Sequence, residues 1–362
     1  MKLFLEYSGG EILPFSSCTV KTRRVGNRMH AVLCSCEGED FTAASLAGLT
    51  AQTAISMLAG GAGMEHTARE LIAAMGGRKT GFLFGELDGR GGVRCVEYRM
   101  PQAALLRGGK LCPAEGETIR VGGEPVILRA ETLRDGDLFC CFSQGIVRRS
   151  KGEQMESGWG RKGAAEFMGK AYTGEESARS MCELLLSACR NLQPEGGGAA
   201  FLCRAKTPHA LCVAVGEPSK RIAEDEWARN LLYFPGTRVI CGSDAACLFA
   251  RITGRELTTD LSPLAKPGQK YRLRGIDYIF SEEESLKQAM ALLSAPLRGR
   301  AATEEGRELA ALLDRRCTEV RFFVGGGGAM RHDLGVDMKI KIVEQIADLL
   351  RSNDKAAEID YC

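Results

Sequence analysis

Apolar and polar positions along the chain change period several times, and each change marks an element. Residues 3–8, roughly 18–24 and 29–35 show the short apolar runs expected of strands. Ala43 to Leu58 is mostly apolar and rich in Ala, Leu and Met, which predicts a buried helix, and a second helix is expected from about Glu65 to Met75. Gly81 to Met100 reads as a hairpin, because Asp88-Gly89-Arg90-Gly91-Gly92 between its two apolar halves supplies the positive φ angles of a tight turn. Further strands are expected near 103–107, 126–132 and 138–142. Met181, Leu184, Leu185, Ala188 and Leu192 recur on one helical face, Pro194 to Gly198 breaks that helix, and Ala199–Ala205 reads as a strand.

After Thr207-Pro208 the rhythm becomes an alternation of short strands and helices. The expected strands are Ala210–Val215, Arg238–Cys241, Tyr278–Phe280, Val320–Val324 and Ala357–Tyr361. The expected helices are Glu224–Leu232, Asp244–Thr253, Glu284–Leu293, Glu304–Arg315 and Val336–Arg351, the last with an apolar stripe of Ile340, Val343, Ile346 and Leu350. Alternation of this kind predicts an α/β layer domain with some parallel pairing. We therefore expect two domains, 1–206 and 207–362, with no internal repeat. A length of 362 residues agrees, since single cores rarely grow past about 250–300 residues.

Composition narrows the functional classes. Basic and acidic residues number 48 and 46, a formal charge of +2, and aromatics make up 6%. Neither a basic excess nor a stacking platform is present, so no nucleic-acid and no membrane partner is expected. Apolar runs fall short of the roughly 18 residues that span a bilayer, and Glu6 arrives too early for a secretory signal, which points to a cytoplasmic protein. Fifteen cysteines without any Cys-x-x-Cys pair read as small buried hydrophobes in a reducing compartment.

The order of these elements and their local wording resemble one family. Met100-Pro101 through Gly108-Gly109-Lys110 is similar to a "pro-x-x-x-leu-arg-x-gly-lys" hairpin, and Gly136-Asp137-Leu138 through Ser143-Gln144-Gly145 to a "gly-asp-x-leu-x-leu-x-ser-asp-gly" strand. Both belong to the stage II sporulation protein E-like branch of the metal-dependent (type 2C, PPM) serine/threonine protein phosphatases. Residues 209–362 resemble a C-terminal domain of a clostridial-type subgroup, in Phe234-Pro235-Gly236, Val239 to Gly242, Gly254-Arg255-Glu256 and Gly275-Ile276-Asp277. The resemblance implies an α/β fold, a four-layer α-β-β-α phosphatase-type sandwich followed by a smaller α/β domain.

It also implies two Mn or Mg ions held by aspartates, the hard donors such ions prefer, converting water to a nucleophile. Four motifs would carry those aspartates. They fall on Ser17-Cys18, on Ser35-Cys36, on Ser143-Gln144-Gly145 and on Gly196-Gly197-Gly198, so Cys18, Ser35, Gln144, Gly197 and Gly198 occupy the family's metal positions without a carboxylate. Glu37, Glu39 and Asp40 sit beside the second motif and are the substitutes within reach, although acids are favoured at a helix start for its own sake. Asp135 and Asp137 match structural turn residues.

Other constellations carry less. Cys18, Cys34 and Cys36 would converge near the metal pocket and invite a thiolate site, against a default of buried free thiols. His30, His66, His209 and His332 share no spacing. In the second domain, Gly242-Ser243 and Gly325-Gly326 follow strands directly and suit an anionic ligand through free backbone amides, with the two loops expected to face each other across one crevice. Four glycines in a row at Gly325–Gly328 also read as a plain loop. The expectation is a catalytically inactive, cofactor-free pseudophosphatase, with no catalytic residue and no metal, that binds a regulatory or phosphoprotein partner. Its alternatives are an active Mn- or Mg-dependent phosphatase using Glu37 or Asp40, and a small-ligand sensor acting through the C-terminal domain.

Overall fold

The computed structural model describes residues 3–12, 17–38, 40–75, 79–148, 160–174, 176–192, 197–259, 267–281, 283–294, 302–326, 333–353 and 355–362. Contacts divide the chain into two compact units, Met1–Thr207 and Pro208–Cys362.

The first unit opens with β1 (Phe4–Glu11), β2 (Cys18–Val25) and β3 (Arg28–Cys36), followed by α1 (Phe41–Ala59) and α2 (Met64–Met75). Then come β4 (Thr80–Asp88), β5 (Gly92–Tyr98), β6 (Ala104–Arg107), β7 (Lys110–Leu111), β8 (Glu117–Val121), β9 (Glu124–Thr132) and β10 (Leu138–Phe142). A short α3 (Gln144–Val147), α4 (Gly160–Ala171), α5 (Ala178–Leu192) and β11 (Ala199–Lys206) complete it. The strands form two antiparallel sheets, ordered β1-β11-β10-β6-β7 and β2-β3-β4-β5-β9-β8.

Alternation along the strands builds the layers. Leu5, Phe139, Cys141, Phe201 and Cys203 of the first sheet meet Met29, Leu33, Leu83 and Val93 of the second in one core. The intervening residues Cys140, Phe142 and Leu202 face α4 and α5. On the far side, Val32, Cys34, Phe82 and Phe84 face α1 and α2. Each sheet thus buries both faces, and the unit is a four-layer α-β-β-α sandwich. The fold class expected from the sequence is the one observed.

Four elements differ from the expectation. By length and composition α1 qualifies as a membrane span, contrary to the reading of apolar runs, because Ala, Gly and Thr dilute no charge into it. Here its Ala47, Ala51, Ala54 and Ile55 pack on the second sheet. Helix α4 went unread because it carries three glycines and buries only Ala164, Ala165 and Met168. One of those glycines is required: a Cβ on Gly169 would lie 2.2 Å from the Gly109 carbonyl oxygen. Gly108 and Gly109 themselves turn β6 into β7 with φ of 55° and 73°, a pair of left-handed residues that only a mirror-image turn uses. The two-residue β7 and the edge strand β8 were too short or too polar to show a period.

The second unit comprises β12 (Ala210–Val215), α6 (Glu224–Leu232), β13 (Thr237–Cys241), α7 (Ser243–Thr253), the ribbon strands β14 (Leu257–Thr259) and β15 (Tyr271–Leu273), and β16 (Tyr278–Phe280). There follow α8 (Glu283–Ser294), α9 (Glu304–Ala311), β17 (Glu319–Val324), α10 (Asp333–Ser352) and β18 (Ala356–Tyr361). Its five-stranded sheet, ordered β16-β13-β12-β17-β18, is parallel throughout. One face buries Val213, Val239 and Phe322 under α8, α9 and α10, and the other buries Cys212, Ala214 and Ile240 under α6 and α7. Two-sided burial explains why these strands read as continuous apolar runs. The helix expected to reach Arg315 ends at Ala311 and passes into a wider π turn over Leu312–Arg316.

Candidate functional site

The four motif positions are far apart in sequence, and the first unit brings them together. Strand pairing sets Cys18 of β2 opposite Ser35 of β3, with Cys18 Sγ 3.2 Å from Ser35 Oγ, both side chains buried. Ser35 in turn pairs with Gly81 at the start of β4. Ser35 and Gln144 line one cleft of about 630 Å³, together with Glu37, Lys79, Arg99 and Arg148.

The other two motifs form a wall beside Gln144. Ser143 donates its amide to the Ala199 carbonyl at 3.0 Å, and its Oγ accepts from the Ala199 amide at 2.9 Å. The Ile12 amide donates to the Gly198 carbonyl at 2.7 Å. Glycine is needed on both sides: a Cβ on Gly145 would stand 2.1 Å from the Gly197 oxygen, and one on Gly198 2.8 Å from Ile12. Gly196 lies outside the described residues.

The acids proposed as substitutes are occupied. Asp40 is the N-cap of α1, its Oδ1 accepting from the Ala43 amide at 2.7 Å. Glu37 is ion-paired with Lys79 at 3.1 Å, and Glu39 lies outside the described residues. Asp137 is buried and held by both Nε and Nη2 of Arg107, while Asp135 accepts from the Thr207 amide at 2.6 Å; both serve turns. Among the described residues no three His, Cys, Asp or Glu side chains gather in a way that would hold a metal ion. Hydroxyl, thiol, amide and glycine positions are a poor donor set for two hard dications, so the residues present do not fit the Mn or Mg pair that the resemblance implies.

The three thiols do not converge. Successive residues of β3 point to opposite faces, so Cys34 and Cys36 lie under α1 while Cys18 and Ser35 lie on the inner side of the sheet. Burial pushes the Cys34 thiol far above its ordinary range, which keeps it an inert hydrophobe.

Sequence reasoning missed the cations. Among the described residues, Lys79, Arg99 and Arg148 line the cleft against one carboxylate, Glu37. Arg99 is the only non-glycine residue with positive φ among the described residues, at 49°. Its backbone crowds Gly81, where a Cβ would meet the Arg99 oxygen at 2.5 Å. Nothing in the pattern around Tyr98-Arg99 announces that conformation. Arg148, three positions past the Ser143-Gln144-Gly145 motif and followed by a second arginine, was the one signal available.

In the second unit, Gly242 and Gly325 both follow parallel strands, β13 and β17, so they share the carboxyl edge of the sheet. Strand β12 lies between them, and Gly325 abuts the segment that follows it, where a Cβ would meet the Glu217 oxygen at 2.0 Å. Gly326 donates to the Cys362 carbonyl at 3.3 Å, as Ser219 does at 3.1 Å, so the segments after β12, β17 and β18 are tied together. Gly242 has φ of 117° and precedes Ser243, the first residue of α7, with no side-chain cap bond. Gly327, Gly328 and Met330 to His332 lie outside the described residues.

No protein-family profile and no curated protein matches the chain. Among solved structures, it is similar to the PP2C phosphatase domain with a regulatory fragment of SpoIIE from Bacillus subtilis, at 13% identity and a TM-score of 0.47, over 57% of this chain and 63% of that one. The RsbU and RsbW domains of a Mycobacterium tuberculosis protein align at 14% identity and a TM-score of 0.47, over 64% and 67% of the two chains. The SiaA PP2C domain of Pseudomonas aeruginosa aligns at 14% identity and a TM-score of 0.43, over 56% and 84%. Likeness at this level concerns architecture, and the class assigned here rests on the four layers described above.

Proposed function

We propose that the first unit is a phosphatase-type sandwich that works by binding without turnover, recognising a regulatory or phosphorylated protein at the Ser35–Gln144 cleft. The observation that carries this reading is the lining of the cleft, where among the described residues three cations and neutral groups stand against one ion-paired carboxylate. Two dications brought there would meet three cations, of which Glu37 and Glu124 pair two, with no further carboxylate in the lining among the described residues. Asp40 is committed to its helix cap, and releasing it would cost about 1 kcal/mol of stability. Fifteen cysteines, eleven of them buried, suit action in a reducing compartment.

The test is hydrolysis by the full chain, stripped with chelator and then supplied with Mn²⁺ or Mg²⁺, on aryl phosphates and phosphoserine peptides. We expect no metal-dependent turnover and no metal-induced rise in melting temperature. Manganese-dependent turnover that is abolished in Glu37→Ala or Asp40→Ala would overturn the reading and establish an enzyme instead.

A further inference from the structure

The strongest unexplained feature of the molecule is the gathering of cations in this cleft. Lys79 enters from the segment before β4, Arg99 from the end of β5 and Arg148 from the end of α3, so three separate elements deliver positive charge to one place. Lys79 is engaged by Glu37 at 3.1 Å and Arg99 by Glu124 at 3.2 Å, while Arg148 has no ion pair among the described residues. Both existing pairs are solvent-exposed, the kind that exchanges partners readily.

Arg99 adds an independent sign. A non-glycine residue held at φ 49° is strained, and such strain persists where the surroundings dictate it, most often at a binding site. Here the twist sets its guanidinium 4.9 Å from the centre of the Tyr98 ring, which braces it beside the cleft. Neutral donors complete the lining. Thr80, fully buried, gives its hydroxyl to Cys36 Sγ at 3.3 Å, and Ser35 and Gln144 stand on either side.

We propose that the Ser35–Gln144 cleft binds a phosphoryl oxyanion directly, without metal, with Arg148 and Arg99 as its principal ligands. This rests on the reading of the first unit as a binding module and names what that module recognises. A phosphoryl group carries close to two negative charges at neutral pH and presents three acceptor oxygens. Arginine answers both features, since its planar fork pairs two oxygens at once and never loses its charge. Lys79 supplies a third, diffuse charge on release from Glu37. The phosphoryl group comes either from a phosphorylated protein side chain or from free phosphate, which present the same oxygens.

The experiment is titration calorimetry on the full chain in EDTA, at constant ionic strength, with inorganic phosphate in one arm and a phosphoserine peptide and its unphosphorylated twin in another. We expect phosphate to bind in the chelator and Arg148→Gln to weaken it about tenfold, the loss of one charge-assisted contact. Arg99→Gly should weaken it comparably while leaving the melting temperature unchanged or higher, because glycine accepts a positive φ freely. A phosphopeptide that binds more tightly than phosphate, with its twin inert, assigns the source to a protein; phosphate binding alone assigns it to the free ion. Binding that survives Arg99→Gly with Arg148→Gln, or that needs Mn²⁺, overturns the proposal. Metal-dependent hydrolysis would remove the binding-module reading yet leave chelator-resistant phosphate binding standing. A protein with neither hydrolysis nor phosphate binding would sink the oxyanion site alone.

Discussion

Two helical glycines should respond to the same substitution with opposite signs. Gly48 sits within α1, and a Cβ there would meet nothing within 4 Å. Gly145 sits in α3, where the added carbon would stand 2.1 Å from the Gly197 oxygen, 3.0 Å from its carbonyl carbon and 3.2 Å from Gly198 Cα. Helix propensity favours alanine over glycine by about 1 kcal/mol in either case. At Gly48 nothing opposes that gain. At Gly145 the contact falls more than about 1 Å inside the separation at which such atoms attract, and the neighbour is backbone. Relief requires the Gly197–Ala199 segment to withdraw, which strains both bonds between Ser143 and Ala199. Overpacking costs about 1–3 kcal/mol and each weakened bond about 1 kcal/mol more, so the clash outweighs propensity.

For a unit of this size 1 kcal/mol shifts the melting temperature by about 2–4 °C. Gly48→Ala should therefore melt about 2–4 °C higher and Gly145→Ala, at a net cost of about 2–4 kcal/mol, about 4–16 °C lower. Thermal and urea denaturation followed by circular dichroism read both values. If Gly145→Ala proves as stabilising as Gly48→Ala, the close approach of the two motif loops is refuted, and with it the shape assigned to the cleft.

Burial lowers the pKa of His30 from its ordinary value of 6.5, with Glu86 opposing and Arg28 assisting, and its Nδ1 has no hydrogen-bond partner. The unfolded chain then takes up a proton that the folded chain refuses, so stability is full above pH 6.5 and declines as pH falls through 6.5 toward the lowered folded value. His30→Gln should flatten urea-derived stability across that window, and an unchanged slope would contradict the assignment. Eleven of the fifteen cysteines are buried, while Cys247 is exposed and Cys36, Cys112 and Cys362 are half-buried. Burial also pushes the Cys182 and Cys212 thiols up to about 12. Thiol titration of the native protein should therefore show a fast phase lost in Cys247→Ser, with most thiols reacting only in denaturant; rapid reaction of all fifteen would refute the packing.

Much of this fold was legible because burial leaves a periodic trace. Residues buried on alternate sides produced β3, β4, β10 and β11, and the two-sided parallel strands of the second unit stood out as unbroken apolar runs. Elements that bury little, such as α4 and β8, left no such trace. The site was half legible. Which residues stand at the motif positions could be read directly, whereas the partners that occupy Glu37 and Asp40 depend on geometry. The cations were invisible for a related reason: Lys79, Arg99 and Arg148 are exposed, and exposed charges look alike until the fold points several at one cleft. The split of Cys18 from Cys34 and Cys36 was a matter of strand pleat, which one-residue spacing already contained.

The reciprocal bonds between Ser143 and Ala199, with the Ile12 amide on Gly198, join the motif loops through uncharged backbone and hydroxyl groups. Where carboxylates and ions do that joining, a protein is ready only when the cell has loaded it, and its readiness follows the ion supply. This cleft is assembled as soon as the chain folds. Under the proposed reading, its capacity to engage a partner is set by how much of the protein is made and how long it lasts, so abundance takes over the control that ion loading would otherwise exert.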